Sequence, residues 1–331
     1  MPAHRSLTRI VLAGLFAAAG SLALGCGGED PLAPAEAADP VAPTGEVAPA
    51  PAGAELAALT GKRIAFISYR YNNWPNLYTM DPSGSNVTRV TAWSTYVRSP
   101  AWSPDNQQIA MGRTRLDATN TPYEDIYLMN ADGSNKHWAR SVPSSFPISF
   151  PSWSPDGKNL VVTVYVGGGW FLAKLTLATG ALDFVSVAAG GPAGSEASYD
   201  PTGKKIVYLG KNGMSIERIN VDGSGHATIL SSATSHFSGP RYSPDGTRLL
   251  FGKTVNQDTE VFVKNANGTV QRLTTSPGDD AQAAWSSDGS KIVFSSHRSG
   301  QYQLWAMSST GGTATRITHS SNIDGQPVYM H

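Results

Sequence analysis

The amino-acid sequence predicts an all-β fold, a six-bladed β-propeller of four-stranded blades that is closed by pairing the N- and C-terminal strands in one blade. Three observations lead to this prediction. A phrase with a central aromatic residue recurs at intervals of 43 to 51 residues, which is the length of a propeller blade. A second phrase, typical of a β-hairpin, recurs six times. The two ends of the repeat region also carry complementary halves of one repeat.

The first phrase combines an aromatic residue with a tight turn, as in PSWSPDG at 151–157 and PRYSPDG at 240–246. In this turn Pro fixes φ, Asp accepts hydrogen bonds from nearby backbone N–H groups, and Gly adopts a positive φ. A short strand follows each full copy, for example KNLVVTV at 158–164. We expect the aromatic residues to pack between neighbouring blades, one for each blade: Trp102, Trp153, Tyr199, Tyr242, Trp285 and Tyr329.

The ends of the repeat region complete each other. PVYMH at 327–331 is a truncated first phrase with no strand after it, and KRIAFIS at 62–68 is a following strand with no phrase before it. Pairing them completes a sixth blade and removes the exposed edge strands of an open ring. The second phrase, for example IYLMNADGSNKHWAR at 126–140, supplies the outer hairpin of each blade.

The residues before the propeller divide into two segments. Residues 1–25 join a basic start to an uncharged apolar run, which is typical of a secretory signal peptide. The run ends in LALGC at Cys26, the only cysteine, and resembles the lipobox of bacterial lipoproteins, so we expect a lipid on Cys26. Residues 26–59 are rich in Pro, Ala and acidic residues and predict a disordered tether. Residues 60–331 form the predicted propeller.

The charge balance argues against a nucleic-acid partner. Lys and Arg total 25 and Asp and Glu total 25, so the formal net charge is zero. A nucleic-acid binder needs a surplus of basic residues to displace counterions from phosphates. Together with the signal and the lipid, this composition predicts an exported, monomeric lipoprotein at the outer membrane or the periplasmic face of the envelope.

The repeat phrase resembles the P-x-W-S-P-D-G motif of the TolB family of β-propellers, over residues 60–331. This resemblance implies a six-bladed propeller that binds an envelope protein, as TolB binds the peptidoglycan-associated lipoprotein. TolB carries an N-terminal α/β domain before its propeller, and the tether occupies that place here.

Aromatic and arginine side chains concentrate in the loops that the first two blades contribute to one mouth of the channel. Tyr, Trp and Arg are enriched at the hot spots of protein interfaces. Glu196, Asp279, Asp280 and Asp324 lie on the other side of the mouth. We therefore predict a protein or peptide partner, with a polysaccharide left open. The predicted partner-binding residues are Arg70, Trp74, Trp93, Tyr96, Arg98, Arg113 and Arg115.

A metal-dependent enzyme is the alternative interpretation. The sequence has no G-x-S-x-G motif, and we predict neither a catalytic residue nor a cofactor. His236, His297 and His319 nevertheless fall in loops of the same mouth, where three imidazoles could hold a divalent metal with an open position. This arrangement is loosely similar to that of oligogalacturonate lyases. The alternative function is therefore a metal-dependent polysaccharide lyase or another carbohydrate-active propeller.

Overall fold

The computed structural model describes residues 63–116, 121–140, 147–185 and 194–331. Within these ranges, 24 strands form six four-stranded antiparallel sheets, so the predicted six-bladed propeller is confirmed. The one helical element in the described ranges is a short 3-10 turn at Lys211–Gly213. Within the same ranges no helix has the length and apolar character needed to cross a membrane.

The strands follow one another blade by blade, with the innermost strand first in blades 2 to 6. Blade 1 contains β1 (Ile64–Tyr71), β2 (Trp74–Met80) and β3 (Thr88–Arg89). Blade 2 contains β4 (Val97–Trp102), β5 (Gln108–Leu116), β6 (Pro122–Asn130) and β7 (His137–Trp138). Blade 3 contains β8 (Ile148–Trp153), β9 (Asn159–Val166), β10 (Gly169–Thr176) and β11 (Ala181–Phe184).

The second half of the ring repeats this order. Blade 4 contains β12 (Gly194–Tyr199), β13 (Lys205–Gly210), β14 (Ser215–Asn220) and β15 (Ala227–Ser231). Blade 5 contains β16 (Phe237–Tyr242), β17 (Leu249–Val255), β18 (Asp258–Lys264) and β19 (Val270–Arg272). Blade 6 contains β20 (Asp280–Trp285), β21 (Lys291–Ser296), β22 (Gln303–Ser308) and β23 (Thr315–Arg316).

The last strand, β24 (Asp324–Tyr329), is the innermost strand of blade 1 and closes the ring. It pairs antiparallel with β1, with Ile64 opposite Tyr329 and Ser68 opposite Asp324. The predicted closure is therefore confirmed. Because both ends of the propeller share one sheet, the inner edge of β1 is paired with β24 rather than left open.

The recurring aromatic residues pack between blades, as the sequence predicts. Trp102 of blade 2 is 1% exposed and belongs to the same core cluster as Ile67 and Leu77 of blade 1. The Trp153 Nε1–H of blade 3 donates to the Ala101 carbonyl of blade 2 at 3.0 Å. Each such ring buries apolar surface and fixes the angle between two sheets, so these residues are scaffold.

The turn after each inner strand lies at the end of the blade opposite the predicted site. The Ser154 hydroxyl donates to Asp156 Oδ1 at 2.6 Å, and the Lys158 N–H donates to the same oxygen. The hydrogen bond from Ser154 lowers the pKa of Asp156, and Gly157 has the expected positive φ of 69°. Local chemistry therefore explains why this turn recurs.

Candidate partner-binding mouth and central channel

The inner strands and the loops between second and third strands meet at one mouth, as predicted. The Tyr69 N–H donates to the Ile323 carbonyl at 3.1 Å, and the Thr114 N–H donates to the Tyr96 carbonyl at 2.9 Å. These bonds join the end of a second strand to the segment just before an inner strand. Side chains from both kinds of loop therefore share this surface.

Three of the predicted arginines are held by carboxylates of their own chain. The Arg70 guanidinium contacts Asp324 at 2.7 Å, the Arg115 guanidinium contacts Asp125 at 3.4 Å, and Arg98 pairs with Glu124. Asp125 and Asp324 are fully buried. The arginines are therefore anchored in fixed positions, and truncating one would leave a buried charge without its counter-charge.

Two of these arginines occupy a position that recurs in blade 6. Strand pairing places Arg70, Arg115 and Arg298 at equivalent points, at or just beyond the end of the second strand. Arg298 contacts the buried Asp280 at 2.7 Å, and its guanidinium lies 4.7 Å from the Trp305 ring centre. The recurrence of Arg at this point indicates a structural role that was visible in the sequence and that the sequence analysis missed.

Arg113 and Trp93 belong to a packed aromatic group in blade 2. The Arg113 guanidinium lies 4.0 Å from the Trp93 ring centre and 4.7 Å from that of Tyr127. Trp93 is only 4% exposed, and its ring meets that of Tyr127 edge to face at 5.2 Å. A partly buried guanidinium on aromatic faces stabilises the fold, so this pair supports the loops of the mouth rather than presenting a contact surface.

The exposed part of the predicted site is an aromatic patch across blades 1 and 2. Tyr96 is 60% exposed, and its ring meets that of Trp74 edge to face at 5.3 Å. Tyr69 lies partly buried beside them. Burial raises the pKa of Tyr69, the charge of Tyr96 raises it further, and the charge of Arg98 lowers it. We call Tyr69, Trp74 and Tyr96 the mouth patch.

The inner strands place six equivalent residues around the channel axis just below the mouth. Each inner strand is irregular at its third residue, where the backbone adopts a φ between 50° and 56°. For a residue other than Gly this conformation costs about 1 kcal/mol or more, so the ring geometry imposes it. We call these residues the channel ring: Ser99, Phe150, Glu196, Gly239, Gln282 and Gln326.

Polar side chains of the channel ring join three pairs of neighbouring inner strands. Gln282 Oε1 accepts from the Gln326 N–H at 3.0 Å, and Gln326 Oε1 accepts from the Ser99 N–H. Glu196 Oε2 accepts from the Gly239 N–H at 2.8 Å. In all three cases a side-chain oxygen satisfies a backbone donor of the following blade, which stabilises the ring from inside.

Glu196 differs from the two glutamines because one of its oxygens has no partner. Oε1 is shielded from solvent and makes no hydrogen bond within the described part of the chain. Burial raises the Glu196 pKa to about 7, and the Gly239 N–H and the charge of Arg241 oppose that shift. Burial lowers the pKa of Arg241, and the charge of Glu196 opposes it. No salt bridge within 4.0 Å joins these two described side chains.

Glu196 and Arg241 both line a cavity of about 40 Å³. Its lining comes from the inner strands of blades 2 to 5, so it lies within the central channel. Ser99, Phe150 and Pro240 are also part of its wall. From the sequence, Glu196 is expected only on the acidic side of the mouth, because no local pattern signals this cavity.

The three histidines of the alternative interpretation are not brought together as metal ligands. Among residues 63–116, 121–140, 147–185 and 194–331, no group of three or more His, Cys, Asp or Glu side chains could hold a metal ion. His297 instead packs edge to face on Tyr302, with ring centres 5.0 Å apart. His236 and His319 therefore do not complete a site with it.

Comparison with known proteins identifies the family. A family model described as the TolB beta propeller domain matches residues 57–238 and 223–331. The chain belongs to this TolB β-propeller family. Tol-Pal system protein TolB of Francisella tularensis, from subspecies mediasiatica and tularensis, is 26% identical, with 56% of this chain and 52% of the relative covered. The chain thus spans about half the length of the curated relatives it matches.

Solved structures share the fold at lower identity. TolB from Acinetobacter baumannii has a TM-score of 0.69 and 21% identity, and the match covers 81% of this chain and 66% of that one. An oligogalacturonate lyase in complex with manganese has a TM-score of 0.51 and 14% identity, over 78% and 74% of the two chains. At these identities the likeness concerns the fold alone.

The predictions for the N-terminal segments lie outside the described residues. Cys26, the signal peptide at 1–25 and the tether at 26–59 all fall there. They stay predictions from the sequence, as does the start of the propeller at residue 60.

Proposed function

We propose that this protein is an envelope-anchored binding module that engages a protein or peptide at the mouth of its channel. The observation that carries the proposal is the mouth patch, where Tyr96 is 60% exposed against the Trp74 ring. Tyr and Trp provide a large contact area at a low entropy cost, which is why they dominate binding hot spots.

The distribution of exposed apolar side chains supports this surface. Among the described residues, four large hydrophobic side chains are substantially exposed: Tyr96, Leu116, Phe184 and Val270. Tyr96 and Leu116 both lie at the mouth end of blade 2, whereas Phe184 and Val270 lie on the outer strands of two other blades. The mouth is therefore the place where exposed apolar surface comes together.

The arginines around the patch have a supporting role in this proposal. Arg98 is 32% exposed and is held by Glu124, so it offers a positively charged group in a fixed orientation at the rim. A charge of that kind contributes to specificity and to the rate of association more than to affinity. Arg70, Arg115 and Trp93 are more deeply placed and act through the fold.

The proposed location follows from the N-terminal sequence and from the relatives. The curated relatives are named Tol-Pal system proteins, and Cys26 lies in a lipobox-like context. We propose that a lipid on Cys26 holds the propeller at the envelope and that an envelope protein is the partner. A polysaccharide partner is the competing outcome of the experiment below.

Replacing Trp74 and Tyr96 with Ala is expected to reduce capture of the partner at least about tenfold. Two truncated hot-spot residues cost more than about 1 kcal/mol each in binding. The full-length protein would be immobilised and exposed to solubilised envelope proteins and to cell-wall fragments, with bound species quantified by mass spectrometry. Because Tyr96 is exposed and Trp74 is only partly buried at the start of β2, the melting temperature should change little.

Phe184→Ala provides the matched control. Phe184 is an exposed aromatic residue, 38% accessible, on the outer strand of blade 3. This variant should capture the partner as the unsubstituted protein does. Equal recovery by the double variant, or recovery of glycans without any protein, would rule out the mouth patch as a protein-binding site.

A further inference from the structure

Three side chains of the channel ring make the same kind of hydrogen bond, and Glu196 is the one that differs in chemistry. Gln282, Gln326 and Glu196 perform the same structural task, since each accepts a backbone N–H of the next blade. A carboxamide does this without charge. Glu196 instead leaves Oε1 buried and unpartnered, and its side chain is part of the lining of a cavity. Leaving a buried acceptor without a hydrogen bond is costly, so the scaffold alone does not explain a carboxyl group at this position.

We propose that Glu196 and Arg241 form a subsite in the channel for a primary carboxamide group. The carboxamide N–H donates to Glu196 Oε1, and its carbonyl accepts from the Arg241 guanidinium. The origin of the carboxamide rests on the proposed function, because the group would belong to an Asn or Gln side chain of the partner that enters the channel from the mouth. The subsite itself can be tested without any partner.

The chemistry of the cavity selects a neutral group that both donates and accepts. The two ionisable side chains in its lining, Glu196 and Arg241, carry opposite charges, so a neutral ligand adds no net charge to the pair. An ammonium would satisfy Glu196 but face the positive Arg241, and a carboxylate would satisfy Arg241 but face Glu196. A carboxamide has two N–H donors and a carbonyl acceptor in one plane, so it can satisfy both groups at once.

The size of the cavity selects a small group on a thin stem. One water needs roughly 10–15 Å³ of such volume, so a cavity of about 40 Å³ holds about three heavy atoms. The carbon, oxygen and nitrogen of a carboxamide meet that limit. Phe150, Pro151 and Pro240 give apolar wall for the methylene stem of a side chain. The pyranose ring that carries the acetamido group of an amino sugar is bulkier than this stem.

Propionamide, which carries the carboxamide of a Gln side chain, tests the subsite directly. The full-length protein would be labelled with ¹³C on Glu carboxyls and ¹⁵N on Arg guanidinium groups and titrated by NMR. The expected result is that the Glu196 and Arg241 signals shift along one shared saturation curve. Propionate and propylammonium should bind at least about tenfold more weakly, because propionate gives Glu196 no hydrogen-bond donor and propylammonium gives Arg241 no acceptor.

Two variants make the test specific. Glu196→Gln keeps the acceptor for Gly239 but replaces Oε1 with an NH₂ group, so propionamide affinity should fall at least about tenfold. The double variant Glu196→Gln and Gln282→Glu keeps the composition and charge of the channel ring while moving the carboxyl group to another blade. It should also fail to bind, which shows that the carboxyl is needed beside Arg241.

Three outcomes would overturn the inference. The first is that propionamide shifts neither signal, and the second is that it binds Glu196→Gln unchanged. The third is that N-acetylglucosamine saturates both signals at a lower concentration than propionamide, which would assign the cavity to an amino sugar. None of these results depends on the mouth patch. A failed subsite with intact partner capture would leave the proposed function standing, whereas equal capture by the Trp74→Ala and Tyr96→Ala double variant would remove the mouth patch and leave the subsite standing.

Discussion

Glu196→Gln is expected to raise the free energy of unfolding above pH 7 by up to about 3 kcal/mol and to change it little below pH 4.5. The Glu196 pKa is about 7 in the folded protein and 4.5 for an ordinary Glu. The folded state therefore binds this proton more tightly than the unfolded state. The stabilisation by protonation is fully present below pH 4.5 and is lost as the pH rises through about 7.

Urea denaturation over this pH range would measure the effect. The unsubstituted protein should lose stability relative to Glu196→Gln between pH 4.5 and 7, while the variant has no carboxyl at this site to titrate. Asp183→Asn is the matched control, because its carboxylate is 65% exposed on an outer strand. Parallel pH profiles for the protein and Glu196→Gln would contradict a raised pKa at Glu196.

A stabilising substitution at Glu196 would fit a functional role for the carboxyl group. Gln already performs the structural task at Gln282 and Gln326. If the protein with Gln at position 196 is more stable than the protein with Glu, the carboxyl group is unfavourable for the fold. Groups that lower the stability of the fold are common at binding sites, where a polar atom without a hydrogen bond in the free protein gains one from the ligand.

The architecture was predictable because its signals are local and repeated. The turn around Asp156 needs only residues 154–158, and each blade repeats that chemistry with small changes. The closure of β24 on β1 followed from two incomplete repeats, and Trp102 was recognisable from its place before the turn. The turn and the aromatic residue are each recognised from neighbouring residues, and the closure, although it joins Ile64 to Tyr329, is recognised because each end carries half of a repeat that is complete elsewhere.

The site was harder to predict because its interactions join distant parts of the chain. The sequence placed Arg70 at the mouth correctly, yet its partner Asp324 lies 254 residues away. The sequence also assigned Trp93 and Tyr96 to one surface, although the first is 4% and the second 60% exposed. Burial of this kind depends on which loops the ring brings together. Composition and spacing do not contain that information.

Asp324→Ala is expected to lower the free energy of unfolding by about 3–5 kcal/mol. Asp324 is fully buried and accepts from the Arg70 guanidinium at 2.7 Å and from the Ser320 hydroxyl at 2.9 Å. Its removal leaves the Arg70 charge, which is only 22% exposed, against the rings of Phe66 and Tyr78. Chemical denaturation followed by tryptophan fluorescence would measure the loss.

A double-mutant cycle separates the ion pair from the rest of the site. Arg70→Met should also destabilise the protein, since it leaves the Asp324 carboxylate buried without its counter-charge. The double variant Arg70→Met and Asp324→Ala should cost clearly less than the two single losses together, because it leaves neither charge unpaired. Strictly additive losses would contradict the pair. Asp183→Ala, which removes an exposed partner of Lys174, should cost less than about 1 kcal/mol.

The position of this pair explains why its loss should affect the whole ring. Asp324 begins β24 and Arg70 lies near the end of β1, so the pair lies at the mouth end of the two strands that close the propeller. Weakening it favours separation of β24 from β1, which would expose two strand edges and the core cluster containing Val328. Arg70 therefore contributes to the mouth through the closure of the fold, and a capture experiment that replaced Arg70 would confuse lost folding with lost binding.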